Sequence, residues 1–128
     1  MPFTVPNTAE TVLANHLCGK VAAGVLKLHL FKNDAVIDED AVIGDLTELT
    51  EAGYGAITLT AASWTVADGV ASFAQQTFTM TEAVDVYGAY ITDNAGTGLV
   101  AVVKFADAPH SLPAGGGSVL VTPSISVA

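Results

Sequence analysis

The spacing of apolar residues changes period once along the chain, and that change divides it. Val12, Leu13, His16 and Leu17 recur at helical spacing, with Asn7 and Glu10 three apart as in a capping box and Gly19 placed to end the helix. This predicts a helix over 8–18. At that length it is not stable alone in water and must pack on something. Residues 1–7, with Pro2 and Pro6, read as an extended arm. After Gly24 the period falls to two. Leu26, Leu28 and Leu30 share one side of a strand over 25–32, Lys27, His29 and Lys32 mark the polar side, and Phe31 interrupts it.

Further strands follow at short intervals. Ile57 and Leu59 alternate with Thr58 and Thr60 across 56–61. Trp64 and Val66 share a face, with Trp64 expected in the core. Asp68-Gly69 between two β-prone runs is a hairpin signal. Val70–Met80 and Val86–Thr92 read as strands, then a turn at Asp93–Gly98. Tyr87 and Tyr90 are expected on opposite sides of their strand. Leu99–Phe105 is apolar on both faces, so its strand needs cover on two sides, from the helix or from a neighbouring subunit. Pro113–Gly117 reads as a loop. Val119–Val127 alternates, with Pro123 demoting it to an edge or a bulge. About seven short strands without a βαβ rhythm predict an all-β fold. It is an antiparallel β-sandwich or jelly-roll-like domain over 8–128, with one short N-terminal helix.

Charge changes the picture in one stretch. Residues 33–55 are turn-rich and hold Asp34, Asp38, Glu39, Asp40, Asp45, Glu48 and Glu51, with room for a short element at Asp45–Glu51. The whole chain of 128 residues carries 13 carboxylates against four lysines, has no arginine, and has a net charge of −9. Nothing in it forms the basic stripe that nucleic acid or anionic lipid requires, so neither is expected as a partner. No apolar run is long enough to span a membrane, and Met1–Pro6 lacks the features of a secretory signal. Hydrophobic residues are 51% and charged residues 13%, which leaves little charge to cover a monomer's surface.

Chemical motifs are scarce. Gly115-Gly116-Gly117-Ser118 lacks the lysine and helix of a phosphate loop, and no nucleophile elbow occurs. His16, His29 and His110 form no local ligand pair, so zinc is not expected; His110 beside Pro109 reads as solvated. Cys18, the single cysteine, reads as a buried small hydrophobe. Asp38, Glu39 and Asp40 cluster hard oxygen ligands of the kind calcium takes, but without a calcium-loop spacing they read first as a solvated acidic loop. The expectation is a protein that is not an enzyme and holds no cofactor.

The segments LKLHLFKND (26–34), GYGAITLTAASWT (53–65), VYGAYITDNAGTGLVAVVKF (86–105) and VLVTPSISV (119–127) resemble a group of small tailed-bacteriophage virion proteins. The resemblance covers about residues 25–128 and carries no active-site signature. It implies a capsid decoration (cement) protein on the outside of the virion, made in the host cytoplasm, bound to the major capsid protein and assembled as a homo-oligomer, most readily a trimer. The alternative is a receptor- or glycan-binding knob of a fibre or tail. An extracellular bacterial β-sandwich is a third reading, disfavoured because Met1–Pro6 lacks secretory-signal features.

Overall fold

A computed structural model describes residues 3–20 and 24–126. Helix α1 (Asn7–Leu17) is followed by β1 (Leu26–Phe31), a 3-10 turn at Ile43–Asp45, β2 (Ile57–Leu59), β3 (Thr65–Ala67) and β4 (Val70–Ser72). Then come β5 (Gln76–Met80), β6 (Val84–Val86), β7 (Gly88–Thr92), β8 (Leu99–Lys104), β9 (His110–Leu112), β10 (Gly117–Val121) and β11 (Ser124–Ser126). All strand pairs are antiparallel. The fold is all-β with a short N-terminal helix.

A four-stranded sheet in the order β2-β1-β7-β8 is the largest. Three smaller sheets, β10-β5, β11-β4-β3 and β6-β9, complete the set. The main core lies between them in sandwich-like fashion. Leu28, Leu30, Ala89, Ile91, Ala101 and Val103 point from the large sheet toward Phe78, Met80, Val86, Leu112, Val119 and Ile125 of the small ones. The predicted alternation of Leu28 and Leu30 is real, and both are fully buried.

The opposite face of the large sheet is covered as well, which the sequence did not predict for β1. Phe31, Tyr90, Leu99 and Val102 form a second cluster with Ala35 and Ala41, flanked by Ile37, Ile43 and Leu46. The acidic stretch therefore acts as a strap. Ala35, Ile37, Ala41, Ile43 and Leu46 face the sheet, while Asp34, Asp38, Glu39, Asp40 and Asp45 are exposed. Lys32 pairs with Glu51, and Lys104 with Asp34, tying the strap to β1 and β8. The two-sided burial of Leu99–Phe105 is thus satisfied within one chain, and no neighbouring subunit is required for it. A register shift beside Ile91/Thr92 puts an extra residue in β8. That bulge turns Leu99 to the strap side while Val100 joins the main core. Gly88 lies opposite Phe31, whose ring packs over it. A Cβ there would overlap that ring and the Val103 carbonyl.

Several expectations need correction. The helix starts at Asn7 with Pro6 as its cap residue and no side-chain cap, so the capping box does not form. The Asn7 N–H donates to the Glu39 carbonyl of the strap instead, at 2.7 Å. Cys18 is exposed, because α1 ends beyond the body it packs on, and Leu17 is 89% exposed there. Gly19 ends the helix as expected, with φ +72 and its N–H on the His16 carbonyl. The arm is held on its own chain. Phe3 and Pro6 are buried, and Thr4 pairs with Val102 on the edge of β8. Val70–Met80 splits into β4 and β5 in different sheets, and Val86–Thr92 yields β7 after a break at Tyr87. Tyr87 precedes β7, so the alternation fails, and it packs on the same cluster as Tyr90. Pro123 is buried and divides the last run into β10 and β11, which join different sheets; Val127 lies outside the described residues. His110 is half-buried in β9, where a solvated turn was expected.

Candidate functional site

His29 stands at the centre of a buried polar network. It is on β1, on the strap side, and only 8% exposed. Its ring stacks on Tyr90 at 4.7 Å between centroids. Nδ1 lies 2.6 Å from Glu48 Oε2, and Nε2 lies 2.8 Å from Thr92 Oγ1 on β7. The Tyr54 hydroxyl donates to the same Glu48 oxygen at 2.6 Å and accepts from the Leu30 N–H at 3.1 Å. The Thr92 hydroxyl also lies within donating distance of the Asp93 carbonyl, at 3.0 Å. Burial first, and then the bond to Glu48, push the Tyr54 phenol well above its ordinary range. Burial, with Glu48 nearby, does the same to Tyr90.

Hydroxyl, imidazole and carboxylate stand here in the order used by acyl-transfer triads. The surroundings differ from such a site. Thr92 is fully buried inside a sheet flanked on both faces, so no substrate carbonyl reaches Oγ1 in this conformation. The network joins the strap to the large sheet: Glu48 and Leu49 run beside Leu30 and Phe31 as a short added edge. The sequence placed His29 on a polar face. It could not show that Glu48, Tyr54 and Thr92, 19, 25 and 63 positions away, converge on that ring.

The acidic candidates do not form a pocket. Asp38, Glu39 and Asp40 are all exposed. Asp38 Oδ1 accepts the Asp40 N–H at 3.0 Å, Asp40 Oδ1 accepts from the Asn7 side-chain amide at 3.2 Å, and the Glu39 carbonyl holds the Asn7 N–H. They fasten the strap to the start of α1. Among the described residues no three His, Cys, Asp or Glu side chains stand together as a metal site. His16, His29 and His110 remain apart, on α1, β1 and β9. No described helix is long and apolar enough to cross a membrane.

The surface offers two features. One is a cleft of about 540 Å³ lined by Phe3, Val103, Phe105, Asp107, His110 and the run Ser118–Thr122. Alternate residues of a strand face opposite ways, so five consecutive lining residues mean that the cleft runs along an edge of β10. The edge in question is the one not paired with β5. Leu120, which lines this cleft, is 56% exposed, and His110 Nδ1 is 3.7 Å from Asp107 Oδ2, both also lining it. The second feature is the β3–β4 hairpin. Asp68 and Gly69 have φ +53 and +78, the type I′ geometry that the Asp-Gly pair predicts. All three residues of β3 are exposed, Val66 to 70%. Trp64, expected in the core, is half-buried at the base of the hairpin, edge-on to Phe73 at 5.1 Å. In the comparisons with known proteins, no family model and no curated protein matched this chain.

Proposed function

We propose that this chain is a structural protein of a tailed-bacteriophage virion, a decoration protein that binds the outer shell formed by the major capsid protein. The observation that carries this reading is the separation of charge across the molecule. The strap, with seven of the 13 carboxylates, covers one side of the large sheet. The strands of the small sheets on the other side carry a single carboxylate, Asp85 of β6, and Asp68 lies in the β3–β4 turn. An uncharged face docks on a shell by shape and apolar contact, while an acidic face turned to solvent keeps particles apart. The resemblance of 25–128 to small virion proteins points the same way, and the enclosed polar network accords with a role in structure.

Adding the purified protein to shells that lack it tests this reading. The expected result is saturable co-sedimentation that persists at high salt, with density at symmetric positions in a reconstruction of the particle. Absence of binding, or release at moderate salt with the fold intact, overturns it. The cleft favours a second reading, a glycan-binding knob of a fibre or tail. It combines Phe105 with the polar groups of Asp107, His110, Ser118 and Thr122. Saturable binding to a host surface glycan, lost on Phe105→Ala, would select that reading.

A further inference from the structure

Two strand edges, those of β3 and β10, carry no charge and have no backbone partner among the described residues. At the β3 edge, hairpin geometry fixes which groups point outward. Ala67 and Val70 flank the two-residue turn and exchange hydrogen bonds, so Val66 turns its N–H and C=O away from β4. No backbone partner among the described residues meets them. Natural edge strands are usually blunted by lysine, proline or a covering loop. Thr65-Val66-Ala67 has none of these, and its side chains are exposed on both faces. The β10 edge lies in the cleft, flanked by Phe105 and the exposed Leu120. The stretch from Leu112 to Ala128, which includes β10, contains no charged residue.

We propose that β3 of one copy docks in the cleft of the next, adding a strand to the open edge of β10, head to tail. This rests on the homo-oligomer that the resemblance implies for a decoration protein, and it names the contact surface. Three observations favour a second copy as the occupant. β3 is exposed at all three of its residues and the free edge of β10 lines a cleft, so a single repeated contact covers both. Thr65, Val66 and Ala67 are small and uncharged, which suits a cleft lined by Phe3, Val103, Phe105 and Leu120 that holds no lysine. Each chain carries a net charge of −9, so copies associate at low cost only through uncharged surfaces. The carboxylates of the strap lie across the large sheet from the β3 hairpin. Because the two surfaces differ, the contact is heterologous, and it closes a ring where its rotation divides a full turn.

The test uses the full chain with Cys18→Ser, which removes the exposed native thiol. Val66→Cys and Leu120→Cys together should give disulfide-linked chains under mild oxidation, and neither alone should. Val66→Lys and Leu120→Lys replace exposed side chains, so each should keep the wild-type circular dichroism. Each should nevertheless lower the mass measured by light scattering to about that of one 13.0 kDa chain. A wild-type mass of one chain at every concentration overturns the proposal; binding of that monomer to shells would still leave the decoration reading standing. An oligomer that survives both lysine variants shows that the surface is wrong. Cross-linking by Val66→Cys alone shows a twofold pairing of β3 with β3, which also refutes the head-to-tail contact.

Discussion

At the scale of single residues, Thr92 and His29 depend on one another. Thr92→Val keeps shape and burial but removes the oxygen 2.8 Å from His29 Nε2. A buried nitrogen left without a partner costs about 1–3 kcal/mol. Chemical denaturation should show a loss of that size with an unchanged m-value; a neutral result would mean that water replaces the hydroxyl. Glu51 gives a pH dependence of known sign. Burial opposes its ionisation, but the hydrogen bonds and charge of Lys32 prevail and hold its carboxyl below the ordinary range. A lowered carboxylate pKa adds stability above the unfolded-state value, and that stability fades as pH falls through the folded one. Unfolding midpoints measured from neutral pH down to about pH 3 should therefore fall less steeply in Lys32→Met than in the wild type. Equal slopes would show that the pair is not coupled to folding.

At the scale of elements, the β3–β4 hairpin and the strap differ in how they are held. The strap is fixed by its own apolar residues, two lysine pairs and the His29 network. The hairpin rests on Trp64 and Phe73 at its base and on a turn with two positive-φ residues. Gly69→Val forces a β-branched residue to φ +78, at a cost of about 1–2 kcal/mol. Because β3 is exposed and at an edge, the strain should appear as local opening. Amide exchange should speed up across 65–72 while β1 and β7 amides keep their protection. Uniform acceleration across the molecule would show instead that the hairpin unfolds together with the core.

For the whole molecule, the separation of charge predicts a salt response. Net −9 chains repel, and salt screens that repulsion, whereas an uncharged contact has no ion pairs to lose. The mass measured by light scattering at fixed protein concentration should therefore hold or rise as salt increases. A mass that falls with salt would locate the contact in charged pairs. The covering of β8 bears on the same question. Its two apolar faces, taken from the sequence as a sign of assembly, are met by the core on one side and by the strap on the other. The case for assembly rests instead on the open edges of β3 and β10.

Local chemistry was enough to determine much of this protein. Period-two alternation placed β1 and β2, Asp-Gly placed the hairpin turn, Gly19 ended the helix, and the lack of a βαβ rhythm gave an all-β antiparallel fold. Each of these depends on neighbours a few positions apart, which is the range over which propensity and turn geometry act. The remainder was decided by contacts between distant segments. The acidic stretch read as a turn-rich, solvated loop because its apolar residues follow no regular period, yet Ala35, Ile37, Ala41, Ile43 and Leu46 sit on the far face of the sheet. Only the folded chain brings Glu48, Tyr54 and Thr92 to His29. Cys18 is exposed because the helix outruns the surface it packs on, and helical spacing records which residues share a face but not how far the partner surface extends.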